Sequence, residues 1–519
     1  MWIYVLAAVI SIFIYEKVYK VNNYWKEKGV PYVQPWPVMG NMLDIVFQRA
    51  AASQVIKKFY DAFPNSRYIG IYQFRTPTLL IRSPSLIKQI TVKDFASFPE
   101  HSLFNNDDND VPDNKGLFSL GAKSGWGEMR KTLNLAFGPS RMKEMFPLMN
   151  ECGDEFIAWL RESGNEIDVD LKETFTKLGC NTLARCFFGL KCNCFRDPVH
   201  ELYRKGNQIN DFSGLKCIRI FGMSISRTLT KWFKISLASH EVSTYFMSLI
   251  KKRLQNRRKR MKLKPDMIKF LQSDSFGIRN PSVENDDSFT SDDAPIKTKK
   301  FLDEDEMAMQ LLGFFIGGFD AIPALLSYAF YELAVNTDVQ HRLREEINEN
   351  CFEDHLAYDD LVNMKYLDMV TSEVLRKWPV SVFIDRKCTK PFIINSEEVQ
   401  EKELIVEPGV ICWIPIFSIH RDPKYYPDPE KFDPERFCDQ SVQRTTYFPF
   451  GCGPRTCIAS RFSVILCKLI LVKVLQDYNV ISTKTTKPPS CVSKIVIFLS
   501  GRESNVMFQA RTANASTNT

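Results

Sequence analysis

No Cys-x-x-Cys pair occurs in the chain. No period of roughly 20 to 50 residues repeats, which excludes solenoids and propellers. Glycine (23) and proline (27) are far too sparse for a collagen-like chain of 519 residues. An excess of one charge sign is also missing, since 68 Lys+Arg against 61 Asp+Glu leaves +7. Charge therefore does not suggest a dedicated nucleic-acid binder, but it suits an acidic protein partner or an anionic membrane face. What is present is ordinary globular composition, 45% hydrophobic and 25% charged, so disorder as the overall class is out. The length allows three or so domains at about 150 residues each, or one large domain. Fourteen cysteines are scattered without scaffold spacing. The nearest thing to a metal knuckle is Cys192-Asn193-Cys194, with Cys180 and Cys186 upstream and His200 nearby. The irregular spacing argues against zinc there. Scattered thiols in a large chain point to a reducing compartment. The 39 Phe outnumber the 18 Tyr and 8 Trp together, enough aromatic surface for a large core or an apolar pocket.

Residues 1–15 carry no charged side chain. As a helix they span about 22 Å, short of the roughly 30 Å hydrocarbon core. Glu16 and Lys17 then snorkel, or the helix continues through Val18 and Tyr19. No basic residue precedes the run and no small-x-small site follows it, which argues against a cleaved signal. Lys17, Lys20, Lys26 and Lys28 follow, leaving the body of the chain cytosolic. Residues 1–20 are read as a membrane anchor, 21–41 as a basic, Pro-rich hinge and 42–519 as a single catalytic domain.

Most long segments of the body read as helices, including 338–350, 361–378 and 458–475, the last apolar on most faces and so buried. Strand-like runs are short, at 68–72, 78–81, 403–406 and 411–415. The fold class is mainly α with a small β subdomain. Residues 272–300, rich in Ser, Asp, Asn and Pro, read as a flexible solvent loop. Residues 251–264 hold nine basic residues in fourteen, read as the solvated end of a helix.

The stretch that carries chemistry is 448–462, FPFGCGPRTCIASRF. Two glycines and a proline make a tight loop leading into a helix near Ile458. Cys457 then lies beside a helix N-terminus, where free N–H groups stabilise a thiolate. Arg455 adds positive charge for a nearby anion. A thiolate held this way can be an axial haem ligand, and a buried structural Cys at a helix start is the bland alternative.

Phe450, Gly453, Arg455 and Cys457 stand at FxxGxRxC spacing, and here the chain resembles the cytochrome P450 superfamily almost end to end. Trp126–Arg130 looks like WxxxR, Glu373-Val374-Leu375-Arg376 like ExxR, and Pro434-Glu435-Arg436-Phe437 like PERF. Asp385-Arg386-Lys387-Cys388 resembles a strand whose Arg meets a haem propionate, and His420-Arg421-Asp422-Pro423 precedes PERF. The resemblance implies a haem b held between a long distal helix and the proximal Cys loop, with Cys457 as axial iron ligand. It implies that Trp126, Arg130, Arg386 and Arg455 bind the propionates, with His101 near one of them, and that Phe450 belongs to the haem loop. Glu373, Arg376 and Arg436 would form a buried ion triad under that loop. Gly29–Tyr32, Leu117–Leu120, Pro265–Ile268 and Tyr331–Ala334 are similar to insect microsomal members that handle foreign lipophilic compounds.

The implied activity is insertion of one oxygen atom of O2 into a lipophilic small molecule. Electrons would come from NADPH through a flavoprotein reductase, with cytochrome b5 as a second donor, at the endoplasmic-reticulum membrane with the catalytic domain cytosolic. Lys131 beside Arg130 suits an acidic docking face. No nucleic acid is implied. Phe104, Phe314, Phe315, Phe319, Val380 and Phe383 are candidate pocket residues. The chain departs from the pattern at 317–323, where Asp320 keeps the acid but Ala321 replaces the usual threonine. Pro323 should kink that helix. Ala459 replaces the usual glycine after the ligand. A peroxide isomerase or dehydratase, or a ligand-binding homologue, is the alternative function.

Overall fold

The computed structural model describes residues 22–102, 116–210, 240–258, 265–275, 302–351, 356–397, 402–439, 445–488 and 504–511. The expected anchor, Phe104 and nearly all of the 272–300 loop lie outside these residues. Helices of nine or more residues are α1 (Ala52–Asp61), α2 (Trp126–Ala136), α3 (Pro139–Ser163), α4 (Leu171–Phe188), α5 (Glu201–Asn210), α6 (His240–Arg258), α7 (Met267–Ser275), α8 (Glu304–Val335), α9 (Thr337–Asn350), α10 (Lys365–Lys377) and α11 (Ser460–Asp477). The strands are β1 (Tyr68–Gln73), β2 (Thr76–Ile81), β3 (Glu166–Asp170), β4 (Ile384–Lys387), β5 (Phe392–Ile394), β6 (Leu404–Val406), β7 (Ile411–Ile414), β8 (Tyr478–Ser482) and β9 (Asn505–Ala510). They form sheets of order β1-β2-β7-β4, β3-β9-β8 and β5-β6. The expected balance of helices with a small β portion is what the chain adopts.

Helix α8 organises the core. A capping box starts it: Asp303 accepts from the Glu306 N–H at 2.6 Å, and Glu306 accepts from the Asp303 N–H at 3.2 Å. Its length and apolar content would suffice to cross a membrane, but over half of that stretch is buried in the protein, as a core helix is. Phe315, Phe319, Ile322 and Leu326 bury one side. Phe330 stacks on Phe175 of α4 at 5.0 Å. The helix is not interrupted at Pro323. The neighbouring residue on α4 is Gly179, where an added Cβ would sit 3.4 Å from the proline ring. A glycine opposite thus gives the ring room, and the loss of one N–H does not end a helix packed this tightly on its neighbour.

The hinge is part of the packed body from Trp25 onward. The Trp25 indole donates to Ile71 O at 2.9 Å, and its ring fills the place a Gly70 Cβ would need, 2.4 Å away. Gly70 also bridges to Tyr32, so the Pro-rich segment lies along β1. The predicted 361–378 helix is two pieces, 358–363 and α10, because Met364 between them is extended (φ −68, ψ 106).

Candidate active site

The Cys loop is closed by its own backbone. The Cys457 N–H donates to Phe450 O, Thr456 N–H to Gly453 O and Gly451 N–H to Phe448 O, each at 2.9 Å. Gly453 has φ +74, and a Cβ there would lie 1.9 Å from Thr91 O, so no other residue fits. Helix α11 begins at Ser460, two residues beyond the expected start, with Ala459 as N-cap.

Cys457 is an exposed residue, and the Ala459 N–H and the Arg130 guanidinium lie close to its thiol. Burial pushes its thiol up, opposed by the Ala459 N–H and by Arg130. The helix terminus alone therefore does not make the thiolate, whereas a coordinated metal ion removes a thiol proton outright. The other thiol of the loop, Cys452, turns elsewhere and bonds to Thr91.

Three guanidiniums cluster beside the Cys457 thiol. Arg386 is 1% exposed, donates to Asp385 O (2.8 Å) and Cys452 O (3.1 Å), and leaves its buried Nε without a partner. Arg455 donates to Pro99 O (2.9 Å) and Leu120 O (2.8 Å) and lies 4.1 Å over the Trp126 ring. Arg130 donates to Thr456 O at 2.7 Å. No carboxylate pairs with any of the three among the described residues. Burial, with Arg386 close by, pulls Arg455 down to about 9, and burial lowers Arg130 and Arg386 too. His101 joins the cluster, its Nδ1 2.9 Å from Asp385 and its ring stacked on Phe118 at 4.6 Å. Burial lowers its pKa as well. Asp385, which the motif reading passed over, holds both His101 and the Ser102 N–H and hydroxyl.

Beneath the loop, Glu373 and Arg376 are fully buried and pair through two bonds, at 2.7 and 2.8 Å. Arg436 stands farther off, its Nε 3.6 Å from Glu373, and donates to Asp428 O. The link from this pair to the Cys loop is His420, whose role the sequence reading missed. Arg376 donates to His420 O at 2.7 Å. The His420 Nδ1–H donates to Arg376 O, and its Nε2 accepts the Phe448 N–H, both at 3.2 Å. These bonds fix a neutral ring and its tautomer. Burial and the Arg376 charge lower its pKa to about 3. A histidine neutral in the fold and protonated when unfolded contributes stability above its unfolded pKa that is lost as pH falls from 6.5 toward about 3. We expect the pH slope of urea-unfolding free energy near pH 4–6 to drop in His420→Gln by up to about 1.4 kcal/mol per unit. An unchanged slope would mean that His420 does not carry it.

Helix α8 has an open side. Gly313 and Gly317 are exposed, Phe314, Ile316, Asp320 and Ala321 half-buried. A Cβ added at Gly313 or Gly317 would meet nothing within 4 Å. Gly318, one residue on, would strike Leu183 at 2.8 Å. Burial pushes the Asp320 carboxyl up, with Lys172 opposing. Of the candidate pocket residues, Phe315, Phe319 and Phe383 are core, Phe383 stacked on Trp413 at 4.1 Å. Phe314 and Val380 keep an open side.

These residues fit a flat cofactor carrying two carboxylates and a metal. There is an exposed thiol, a helix face left open by two glycines, and a cluster of three guanidiniums against only two nearby carboxylates, Asp385 and Glu100. Arginine binds carboxylate by bidentate charge-assisted bonds.

A family model described as Cytochrome P450 matches residues 30–506. Cytochrome P450 9e2 of Blattella germanica is 34% identical over 494 residues, 91% of each chain. Probable cytochrome P450 9f2 of Drosophila melanogaster is 32% identical over 94% of each chain. Cytochrome P450 6j1 of Blattella germanica is 29% identical over 93% of this chain and 94% of its own.

Proposed function

The chain belongs to the cytochrome P450 family and is a monooxygenase of that family, and on that premise we propose that it oxidises a lipophilic, foreign small molecule with NADPH-derived electrons. The observation that carries this reading is the meeting of an exposed thiol, Cys457, with three clustered guanidiniums, Arg130, Arg386 and Arg455, none of which makes a direct ion pair with a carboxylate among the described residues. Haem bound through a thiolate supplies electron density that favours O–O cleavage. Arg130, Arg386, Arg455 and Trp126 anchor the propionate edge, and His101 is held ready beside it by Asp385. Gly313 and Gly317 leave room for substrate, and Phe314 and Val380 give it apolar walls. Glu373, Arg376 and Arg436 are structural.

Residues 1–20 anchor the protein in the endoplasmic-reticulum membrane with the body, residues 42–519, as one catalytic domain in the cytosol. Electrons arrive from a flavoprotein reductase, or from cytochrome b5, on the face where Lys131 is exposed. The test is product formation from lipophilic substrates by reconstituted protein, reductase and NADPH. A peroxide isomerase or dehydratase needs no proton relay, and Ala321 is the residue in its favour. Product from a lipid peroxide without NADPH, and none from any substrate with it, would overturn monooxygenation.

Dioxygen cleavage consumes two protons, and the Ala321 side chain cannot hydrogen-bond. The relay then runs through Asp320, whose carboxyl is pushed up by burial, and through water on the open face. We expect weak coupling of NADPH use to product. Ala321→Thr should raise product per NADPH up to about 10-fold with little change in substrate affinity. That lies below the roughly 10²–10⁴-fold of a general-acid relay, because water replaces most of it. Tight coupling in the native protein with no gain from threonine would assign the relay elsewhere.

A further inference from the structure

The proposed reaction makes no use of Cys180, Cys192 and Cys194. Their spacing gives no metal signature, yet the three sulfurs lie within 4.8 Å of one another and all three residues are buried. Cys180 is on α4, which ends at Gly189 in the left-handed conformation (φ 59). The chain there turns back, and Cys192 and Cys194, two apart, return to Cys180. Asn181, 3% exposed, holds the return, its Oδ1 accepting the Cys194 N–H at 2.9 Å and the Cys192 thiol at 3.5 Å.

Thiols are weak donors and weak acceptors, so three in contact gain little from one another. Around a soft d10 ion they gain much more. Zinc–sulfur bonds of about 2.3 Å put bound sulfurs roughly 3.8–4.0 Å apart, a separation the 4.8 Å limit already contains. A disulfide would need two of them at about 2.0 Å and would leave the third unused. We propose that Cys180, Cys192 and Cys194 form a three-thiolate site for a thiophilic d10 cation of the zinc class, apart from the haem. His200 stays outside it. Its Nδ1 accepts the Leu202 N–H at 3.3 Å, which puts the ring proton on Nε2, so a fourth position falls to water.

Binding is an exchange without redox chemistry: the divalent ion enters, three S–H bonds break, and up to three protons leave to solvent, giving a site of charge −1. Three thiolates around a monovalent ion would bury −2, which favours the divalent ion. The ion would tie the loop after α4 to the helix next to Gly179, which faces Pro323 of α8, and so stiffen the helix behind the active-site face.

The test uses the full-length haem protein, purified in reductant and passed over a chelating resin. We expect about one zinc per chain, besides iron, after re-addition and gel filtration, and a rise in the thermal midpoint. Cd2+ should give a thiolate-to-metal charge-transfer band in the ultraviolet. Cys194→Ser should lose the zinc and most of that band, with iron content unchanged. Equal zinc in the native protein and in Cys194→Ser would overturn the site. So would a disulfide among these cysteines in protein alkylated at lysis. If Cys194→Ser does not fold, the native protein decides, since no zinc-dependent rise in midpoint after chelation overturns the site on its own.

Discussion

Glu373→Ala yields apoprotein or aggregate, not a slow but well-folded enzyme. Glu373 and Arg376 have no exposed side-chain surface and share two hydrogen bonds. Glu373 also accepts the Asp433 N–H at 2.9 Å, and Arg376 reaches His420 O and Pro429 O. Deleting the carboxylate strands a buried guanidinium, at about 3–5 kcal/mol. A domain's net stability is only about 5–15 kcal/mol. The loss is concentrated where it matters for the cofactor, because Arg376 and His420 together hold the start of the Cys loop at Phe448. Burial pushes the Glu373 carboxyl up, with Arg376 opposing. Glu373→Gln keeps some hydrogen bonds and should fall between. The check is haem per protein and the yield of soluble chain; stable holoprotein at normal yield from Glu373→Ala would contradict it.

Cys457→Ser abolishes product formation while leaving a folded chain. The hydroxyl of serine is a poor ligand for iron and supplies none of the electron density of a thiolate. The loop does not depend on the sulfur, since its closure uses backbone groups from Phe448 to Cys457. Thermal unfolding should therefore change little in the apoprotein, while turnover with NADPH and reductase drops below detection. Retained turnover would remove Cys457 from the reaction.

The helices α9 and α11 were legible, α9 from a polar face with Val339, Leu343 and Ile347 at helical spacing and α11 from a long apolar run. β3, β8 and β9 were not, since five- and six-residue strands as far apart in sequence as 166–170 and 505–510 find each other only in three dimensions. Arg386 and Arg455 could be named from motif spacing, but not that they cluster with Arg130 without a direct ion pair, which needs every neighbour in place. His420 stood in a quoted motif without a role, because its work is done by a backbone carbonyl and a ring tautomer. The sequence marks Pro323 as a helix-disturbing residue, but not the glycine that gives its ring room, which lies 144 residues earlier on another helix. The three-thiol cluster was hidden because Cys180 and Cys192 lie on either side of a helix end.

The central claim is that Cys457 holds the haem iron as a thiolate. The direct measurement is the absorption spectrum of the reduced carbon-monoxide complex in the native protein, Cys457→Ser and Cys452→Ser. The account predicts the red-shifted band of thiolate ligation in the native protein and in Cys452→Ser, whose thiol turns toward Thr91, and its loss in Cys457→Ser. A band that survives in Cys457→Ser and disappears in Cys452→Ser would contradict it.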